Sequence, residues 1–250
     1  MIETIKLNKI YNFDCLVGLK YVQDKSINVI ATDLPYFGVL DVEWDNQWET
    51  LDDYLTFLDK VFIEFKRVLR DNGSLFIFSG RQYNRHIAIL LDKYFKEERI
   101  IIWKRKRNMS TTRGKALNGE YEPLCYYSNI DKPVYNNIKV PPAKHLQNRK
   151  EYTTGILKDG VSLTDVWEIN ALPHNSKEKT NHESQKPLEI MERIINLSSN
   201  EHDIILDPFI GSGTTALACL KLNRQYIGFD TSKDYIEICN KRINDFYEKL

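Results

Sequence analysis

Residues 204–220, IILDPFIGSGTTALACL, decide the fold. Positions 204–206 read as a short buried strand that delivers Asp207 at its end. Gly211 and Gly213 flank Ser212 in a tight loop, and Thr214 and Thr215 open a helical run to residue 221. In a strand, glycine-rich turn and helix unit of this kind, the glycines let backbone approach a ligand and the helix start offers unpaired N–H groups. No Gly-Lys-Ser/Thr follows, so the loop is not a phosphate loop, and the third glycine of a dinucleotide fingerprint is missing. A carboxylate, Asp230, ends the next strand in YIGFD, 23 residues after Asp207, where it suits ribose hydroxyls. Loop and carboxylate together predict a nucleoside-bearing cofactor without a pyrophosphate; an ordinary turn in a doubly wound sheet uses glycines in the same way.

Outward from this unit, short buried runs alternate with helical patterns. Residues 27–32 (INVIAT), 74–78 (SLFIF), 99–103 (RIIIW) and 124–127 are predicted strands, with 203–206 and 225–229 in the second half. Apolar residues at helical spacing predict helices over 51–69, 81–95, 186–198, 214–221 and 232–246, with Asn72-Gly73 as the stop after the first and Pro187 in the first turn of the third. Between the two blocks, residues 129–181 are polar, rich in Asn, Lys and Pro, and without period. The expected fold class is α/β, a mostly parallel sheet with helices on both faces and an irregular insert. The expected divisions are 1–128, 129–181 and 182–250.

A second motif, ATDLPYFG at 31–38, follows the predicted strand 27–32 directly and therefore stands on the same rim of the sheet as the glycine loop. Its chemistry fits work on an exocyclic base amine. Such a nitrogen is a poor nucleophile because its lone pair is delocalised into the ring. Acceptors aimed at its two N–H groups draw it toward tetrahedral geometry; Asp33 can supply one and the backbone carbonyl of Leu34 the other. Pro35 stiffens the loop, and Tyr36 can stack on an unpaired base. As an isolated tetrapeptide it could equally be a capped turn.

Apolar residues make up 42% of the 250, enough for a full core, and 12% aromatics argue against disorder. No apolar run approaches the ~20 residues of a membrane span. The charged start, MIETIKLNKIYNFD, has no signal-peptide core, so the expectation is a cytoplasmic protein. Cys15, Cys125, Cys219 and Cys239 form no Cys-x-x-Cys pair and no metal site is expected. Formal net charge is zero, yet residues 99–150 carry twelve Lys/Arg against Glu120, Glu122 and Asp131, an excess of nine. Lys104, Arg105, Lys106, Arg107, Arg113 and Lys115 are the expected phosphate contacts within that stretch. Trp44 and Trp48, in 37–48, read either as a loop that orders over DNA or as a local core.

Both motifs resemble those of the amino-group DNA methyltransferases, and their order resembles the beta class: an Asp-Pro-Pro-Tyr catalytic motif first, then target recognition, then the cofactor loop. Here the first motif is Asp33-Leu34-Pro35-Tyr36, a variant with Leu34 for the first proline, which the backbone role of that position tolerates. Asn12-Phe13-Asp14-Cys15-Leu16 resembles the family's acidic segment near the cofactor. Trp167-Glu168 and His182-Glu183-Ser184-Gln185-Lys186-Pro187 resemble its lead-in to the cofactor half, with Glu183-Ser184 in place of Pro-Thr. Gly228-Phe229-Asp230, Tyr235 and Arg242 resemble the ribose segment, and 120–127 (EYEPLCYY) a late catalytic-domain strand.

The resemblance implies a Rossmann-like methyltransferase fold with permuted motif order. Its cofactor is S-adenosyl-L-methionine, held by Asp14, Asp33, Lys186, Asp207, Phe209, Gly211, Ser212, Gly213, Thr214 and Asp230. Residues 129–181 are the implied target-recognition segment. An Asp at the first motif position goes with adenine N6 and a Ser with cytosine N4, so methylation of adenine N6 in double-stranded DNA is expected, with cytosine N4 as the alternative. Cytosine C5 is disfavoured because neither Cys15 nor Cys125 follows a proline. A homodimer and a cognate restriction endonuclease, as in restriction-modification, are the implied partners. RNA or protein as substrate, and a DNA-binding module without activity, remain the other readings at this point.

Overall fold

The computed structural model of the protein describes residues 5–38, 47–105, 119–142, 147–155, 157, 159–173 and 175–248. The chain opens with β1 (Lys9–Asn12) and α1 (Cys15–Leu19), neither expressed in any hydrophobic period because both are so short. Then come β2 (Ile27–Asp33), α2 (Leu51–Val68), β3 (Leu69–Phe78), α3 (Gly80–Leu91), β4 (Lys96–Lys104) and β5 (Tyr121–Ser128). The segment that follows holds β6 (Lys139–Val140), the single turn α4 (Lys150–Thr153), β7 (Val161–Ser162) and β8 (Val166–Glu168). The last block is α5 (Leu188–Ser198), β9 (Ile204–Asp207), α6 (Thr214–Lys221), β10 (Gln225–Asp230) and α7 (Lys233–Tyr247).

Eight strands form one sheet in the order β1-β10-β9-β2-β3-β5-β4-β8, and β6 pairs with β7 apart from it. Within the large sheet β5 alone runs against the others, pairing antiparallel with both β3 and β4. The other pairings are parallel. From β2 the chain winds outward through α2 to β3; from its neighbour β9 it winds the opposite way through α6 to β10. That reversal opens a crevice at the carboxyl ends of β2 and β9, where ligands of open α/β sheets bind.

Each face of the sheet is closed by a layer of helices. Val29, Ala31, Phe76, Phe78, Leu124 and Tyr126 pack with Ile190, Ile194, Ala216, Leu217 and Ile243 from α5, α6 and α7. Ile30, Leu75, Ile77, Cys125 and Tyr127 pack with Leu19, Tyr54, Leu58, Phe62, Phe65 and Ile87 from α1, α2 and α3. Buried on both sides, β2 reads INVIATD without polar alternation, as a central parallel strand must. Helix α2 starts on a capping box, in which Thr50 and Asp53 satisfy each other's backbone N–H groups.

Three expectations change. Asn72-Gly73 does not terminate α2. The helix ends at Val68 because Leu69 turns extended (φ −75°, ψ 134°), and β3 runs from Leu69 through the pair. The register of β3 against β2 jumps from Ile27↔Leu69 to Val29↔Ser74, so Asn72-Gly73 punctuates a bulge inside a strand. Asn129 holds that bulge by donating through Nδ2 to the carbonyls of Leu69 and Arg70. Helix α3 stops at Leu91 rather than 95. Finally, the irregular stretch contributes β8, which extends the catalytic sheet beside β4 in register Trp103↔Trp167. Trp167 is 1% exposed, donates its indole N–H to the Thr164 carbonyl at 2.8 Å and lies under the Arg193 guanidinium. Among the described residues no helix is long and apolar enough to cross a membrane.

Trp167 is thus the main apolar anchor of β8. Trp167→Ala is expected to lower stability by about 3–5 kcal/mol, the cost of emptying a buried tryptophan site. Urea unfolding followed by circular dichroism, with an unchanged slope on denaturant, measures it.

Candidate active site at the carboxyl ends of β2 and β9

Asp207 ends β9 as a brace. It accepts from Thr32 Oγ1 of β2 at 2.7 Å, from Thr215 Oγ1 of α6 at 2.6 Å and from the backbone N–H of Phe209 at 3.2 Å. Burial pushes its carboxyl up to about 6, and these three donors act against that rise. The glycine loop turns immediately after it. Gly211 (φ 50°) and Gly213 (φ 79°) adopt the left-handed conformation that favours glycine, and Gly213 caps α6. A Cβ on Gly211 would stand 2.5 Å from His182 Nε2, and one on Gly213 2.9 Å from Cys239 Sγ. The loop is pinned from behind, because Cys239 Sγ donates to the Gly211 carbonyl and Arg242 donates to the Ser212 carbonyl at 2.6 Å.

Asp230 ends β10 and faces the same loop. One carboxylate oxygen accepts the Gly211 N–H at 2.9 Å and the other the Ser232 N–H at 2.8 Å. Two ionised oxygens offer about four acceptor sites, so capacity remains for a vicinal diol. Burial pushes this carboxyl up as well. Together these groups line one crevice, to which Asp14, Asp33, Pro35, Lys186, Phe209, Ser212 and Thr214 all contribute. Asp14 caps α1 through the N–H groups of Leu16 and Val17. His182 closes one end, its ring 4.4 Å from that of Tyr235; burial holds the imidazole down at about 4, so it is neutral at pH 7.

Asp33 ends β2 at the opposite wall. Lys186 Nζ donates to its Oδ2 at 2.5 Å, and Tyr36 Oη donates to its Oδ1 at 3.1 Å. Lys186 Nζ also lies 3.1 Å from Glu122 Oε1 and 3.0 Å from Tyr36 Oη. Burial pushes the Asp33 carboxyl up to about 7; the Lys186 ammonium opposes the rise and Glu122 adds to it. Burial alone would depress Lys186, but Asp33 and Glu122 outweigh it and hold the ammonium well above its ordinary value. The loop itself is fixed from outside: the Tyr54 hydroxyl donates to the Pro35 carbonyl at 2.9 Å and the Leu34 side chain is buried.

A second cavity of about 620 Å³ adjoins this cluster, lined by Tyr36, Tyr83, Trp103, Tyr121, Arg105 and Glu122. It shares Ser184, Gln185 and Lys186 with the crevice. Asp33 lines the crevice and Tyr36 the second cavity, so this hydrogen-bonded pair stands at the partition between them.

The structure brings Asp14, Asp33, Leu34, Pro35, Lys186, Asp207, Phe209, Gly211, Ser212, Thr214 and Asp230 to one crevice, with Tyr36 at its boundary. Gly213 stands behind as the cap of α6. Lys104 is exposed and paired with Glu168 at 2.8 Å, while Arg105 lines the second cavity. Lys106, Arg107, Arg113, Lys115 and Trp44 lie outside the described residues. Trp48 packs on Tyr54 and Phe57, with ring centroids 4.9 and 5.1 Å away. All four cysteines are buried free thiols. Glu122 is the site residue that sequence reasoning passed over. Locally it shows only as one carboxylate inside the otherwise uncharged strand Tyr121–Ser128.

Residues 27–241 match the DNA methylase family of N6 and N4 methyltransferases. The Type II methyltransferase M.HpaI of Haemophilus parainfluenzae is 32% identical over 237 residues, which cover 92% of this chain and 72% of that protein. M1.MboII of Moraxella bovis is 28% identical, over 96% of this chain and 98% of that one. Among solved structures, the M1.HpyAVI-SAM complex superposes with a TM-score of 0.70 at 25% identity, over 94% and 98% of the two chains. The cytosine-N4-specific PvuII DNA methyltransferase gives 0.70 at 18% identity, over 98% and 93%, which is a likeness of fold.

Gly211→Val adds a branched side chain where φ is positive and the imidazole of His182 fills the space. It is expected to weaken S-adenosylmethionine binding at least tenfold, read by calorimetry, while the far-ultraviolet circular dichroism stays that of the parent.

Proposed function

The chain belongs to the DNA methylase family that modifies exocyclic amino groups, and from that premise we propose that it transfers a methyl group from S-adenosylmethionine to adenine N6 in double-stranded DNA. The observation that carries this reading is the position of Asp33, at the partition between the crevice of the glycine loop and a second cavity with aromatic rings in its wall.

Bound in the crevice, S-adenosylmethionine supplies an electrophilic methyl group on its sulfonium. Asp230 is placed for the ribose hydroxyls, and the glycine loop leaves backbone surface open beside it. The target adenine must leave the duplex stack, at a cost of a few kcal/mol. Tyr36, Tyr83 and Tyr121, in the lining of the second cavity, are the rings available to stack on it. Asp33 and the carbonyl of Leu34 accept the two N–H hydrogens, so the lone pair is localised for attack. The new N–C bond forms as the S–C bond breaks, its electron pair passes to sulfur, and the surplus proton on nitrogen leaves toward the Asp33 carboxylate.

Adenine is favoured over cytosine N4 because Asp, rather than Ser, stands at position 33. Lys104, Arg105 and the basic residues up to Lys115 serve as phosphate contacts. Residues 129–181 read the sequence, with 1–128 and 182–250 as the catalytic and cofactor halves. The reading extends to a cytoplasmic homodimer that protects DNA from a restriction endonuclease of the same specificity.

Asp33→Ala is expected to lower methyl transfer from tritiated S-adenosylmethionine to duplex DNA by on the order of 10²–10³-fold, the scale of losing one group that stabilises a transition state. Its cofactor affinity should stay within threefold. Nucleoside mass spectrometry of the product should show N6-methyladenine; N4-methylcytosine would give the site to the other base, and full turnover by the variant would remove Asp33 from the chemistry. The reaction also needs Asp33 ionised. Its carboxyl sits near 7 in the folded protein, so the protonated fraction grows as pH falls through that value. kcat/KM is therefore expected to drop about tenfold per unit below pH 7 and to level above it. A flat profile from pH 5 to 8 would contradict this.

A further inference from the structure

The Lys186 ammonium has two carboxylates for one charge. It lies 2.5 Å from Asp33 Oδ2 and 3.1 Å from Glu122 Oε1, and its side chain is 6% exposed against 16% and 10% for the two acids. Tyr36 Oη joins them, donating either to Asp33 at 3.1 Å or to Glu122 at 3.2 Å. Asp33 thus has a rival for both of its donors. The reversed strand is what delivers that rival. Because β5 runs antiparallel to β3 and β4, its first residues reach the rim where β2 and β3 end. Asp33 pairs with Phe78, Phe78 with Leu124, and Glu122 lies two residues beyond Leu124 on the same face of the sheet.

We propose that Glu122 is a positioning residue that takes the Lys186 ammonium and the Tyr36 hydroxyl away from Asp33 when the target amino group arrives. Asp33 is then released as a free carboxylate, able to accept an N–H hydrogen and, after transfer, the surplus proton. The inference rests on the methyltransferase reading of the site. Without a second anion, entry of the base would have to break a buried ion pair outright, which is strongly unfavourable. With Glu122 in place, the cation moves between two partners already in contact with it. Among the described residues the other charged groups lining the second cavity are Arg81 in the first turn of α3, Arg105 at the end of β4, whose Nη1 is 3.8 Å from Glu122 Oε2, and Lys179 and Glu183 ahead of α5. Arg105 thus meets one oxygen of Glu122 and leaves Oε1 to Lys186 and Tyr36.

Glu122→Gln preserves shape and the hydrogen bond to Tyr36 while removing the charge. In the whole protein labelled with carboxyl-¹³C aspartate, and assigned with Asp33→Asn, the Asp33 titration midpoint is expected to move acidward by more than one unit in Glu122→Gln. Two causes act in that direction, because the negative neighbour is gone and Lys186 belongs to Asp33 alone. Glu122→Asp, which keeps the charge, should leave the midpoint within half a unit of the parent. On DNA, Glu122→Gln should lower kcat at least tenfold with KM for S-adenosylmethionine within twofold, and carry the acidic limb of the profile down with the midpoint. An unmoved Asp33 midpoint in Glu122→Gln, or one moved equally by Glu122→Asp, overturns the inference. Failure of the parent protein to methylate DNA would instead overturn the function, and the carboxyl titration would still decide the role of Glu122.

Discussion

Thr32 and Asp207 are 175 positions apart in the chain and 2.7 Å apart in the fold. Their hydrogen bond joins the last turns of β2 and β9, the pair of strands from which the chain winds away in opposite directions. The carboxylate that closes this bond also holds Thr215 in the first turn of α6. Both walls of the crevice are therefore fixed at a single buried group: Asp33 follows Thr32 directly, and the glycine loop follows Asp207. The interaction is costly, since burial raises the Asp207 carboxyl, and it persists because three donors satisfy it. A valine at 215 would leave Asp207 Oδ2 without its donor at the point where the two halves of the chain meet, whereas at 32 the other oxygen would keep the Phe209 N–H.

The same economy of charge runs through the rest of the rim. Asp230 holds the glycine loop through Gly211 while still facing the crevice, and Asp14 caps α1 while lining it. Backbone N–H groups engage these two acids, which keeps each in one rotamer. At Asp33 the pattern differs. Its partners are side chains, Lys186 and Tyr36, which can turn away without unravelling an element. In the proposed reaction the fixed acids would face the cofactor and Asp33 the substrate.

Much of this was readable from residue order. The strand 204–207, the loop and the helix Thr214–Lys221 follow from apolar pattern and glycine spacing, and the apolar spacing over 51–69 matches the long helix Leu51–Val68. What escaped did so for physical reasons. Asn72-Gly73 is a turn signal wherever it occurs, and only the partner strand shows that it bends a strand instead of ending a helix. β8 is three residues long and half exposed, so it carries no period; pairing with β4 makes it a strand. Glu122 gains its meaning from the reversed direction of β5, a property of topology that no local window contains.

β8 has one more implication. The irregular stretch after β5 is not a cassette laid on a finished domain, because it lends a strand to the catalytic sheet and seals it with Trp167. The Trp103 indole reaches across to the carbonyl of Ile169 at 2.8 Å, a second stitch in the same seam. Chimeras that exchange this stretch between relatives must keep residues 166–169 with the host, or transfer the facing surface of β4 along with the graft. The same holds at the start of the stretch, where Asn129 holds the β3 bulge and is as much a part of the host as the seam itself.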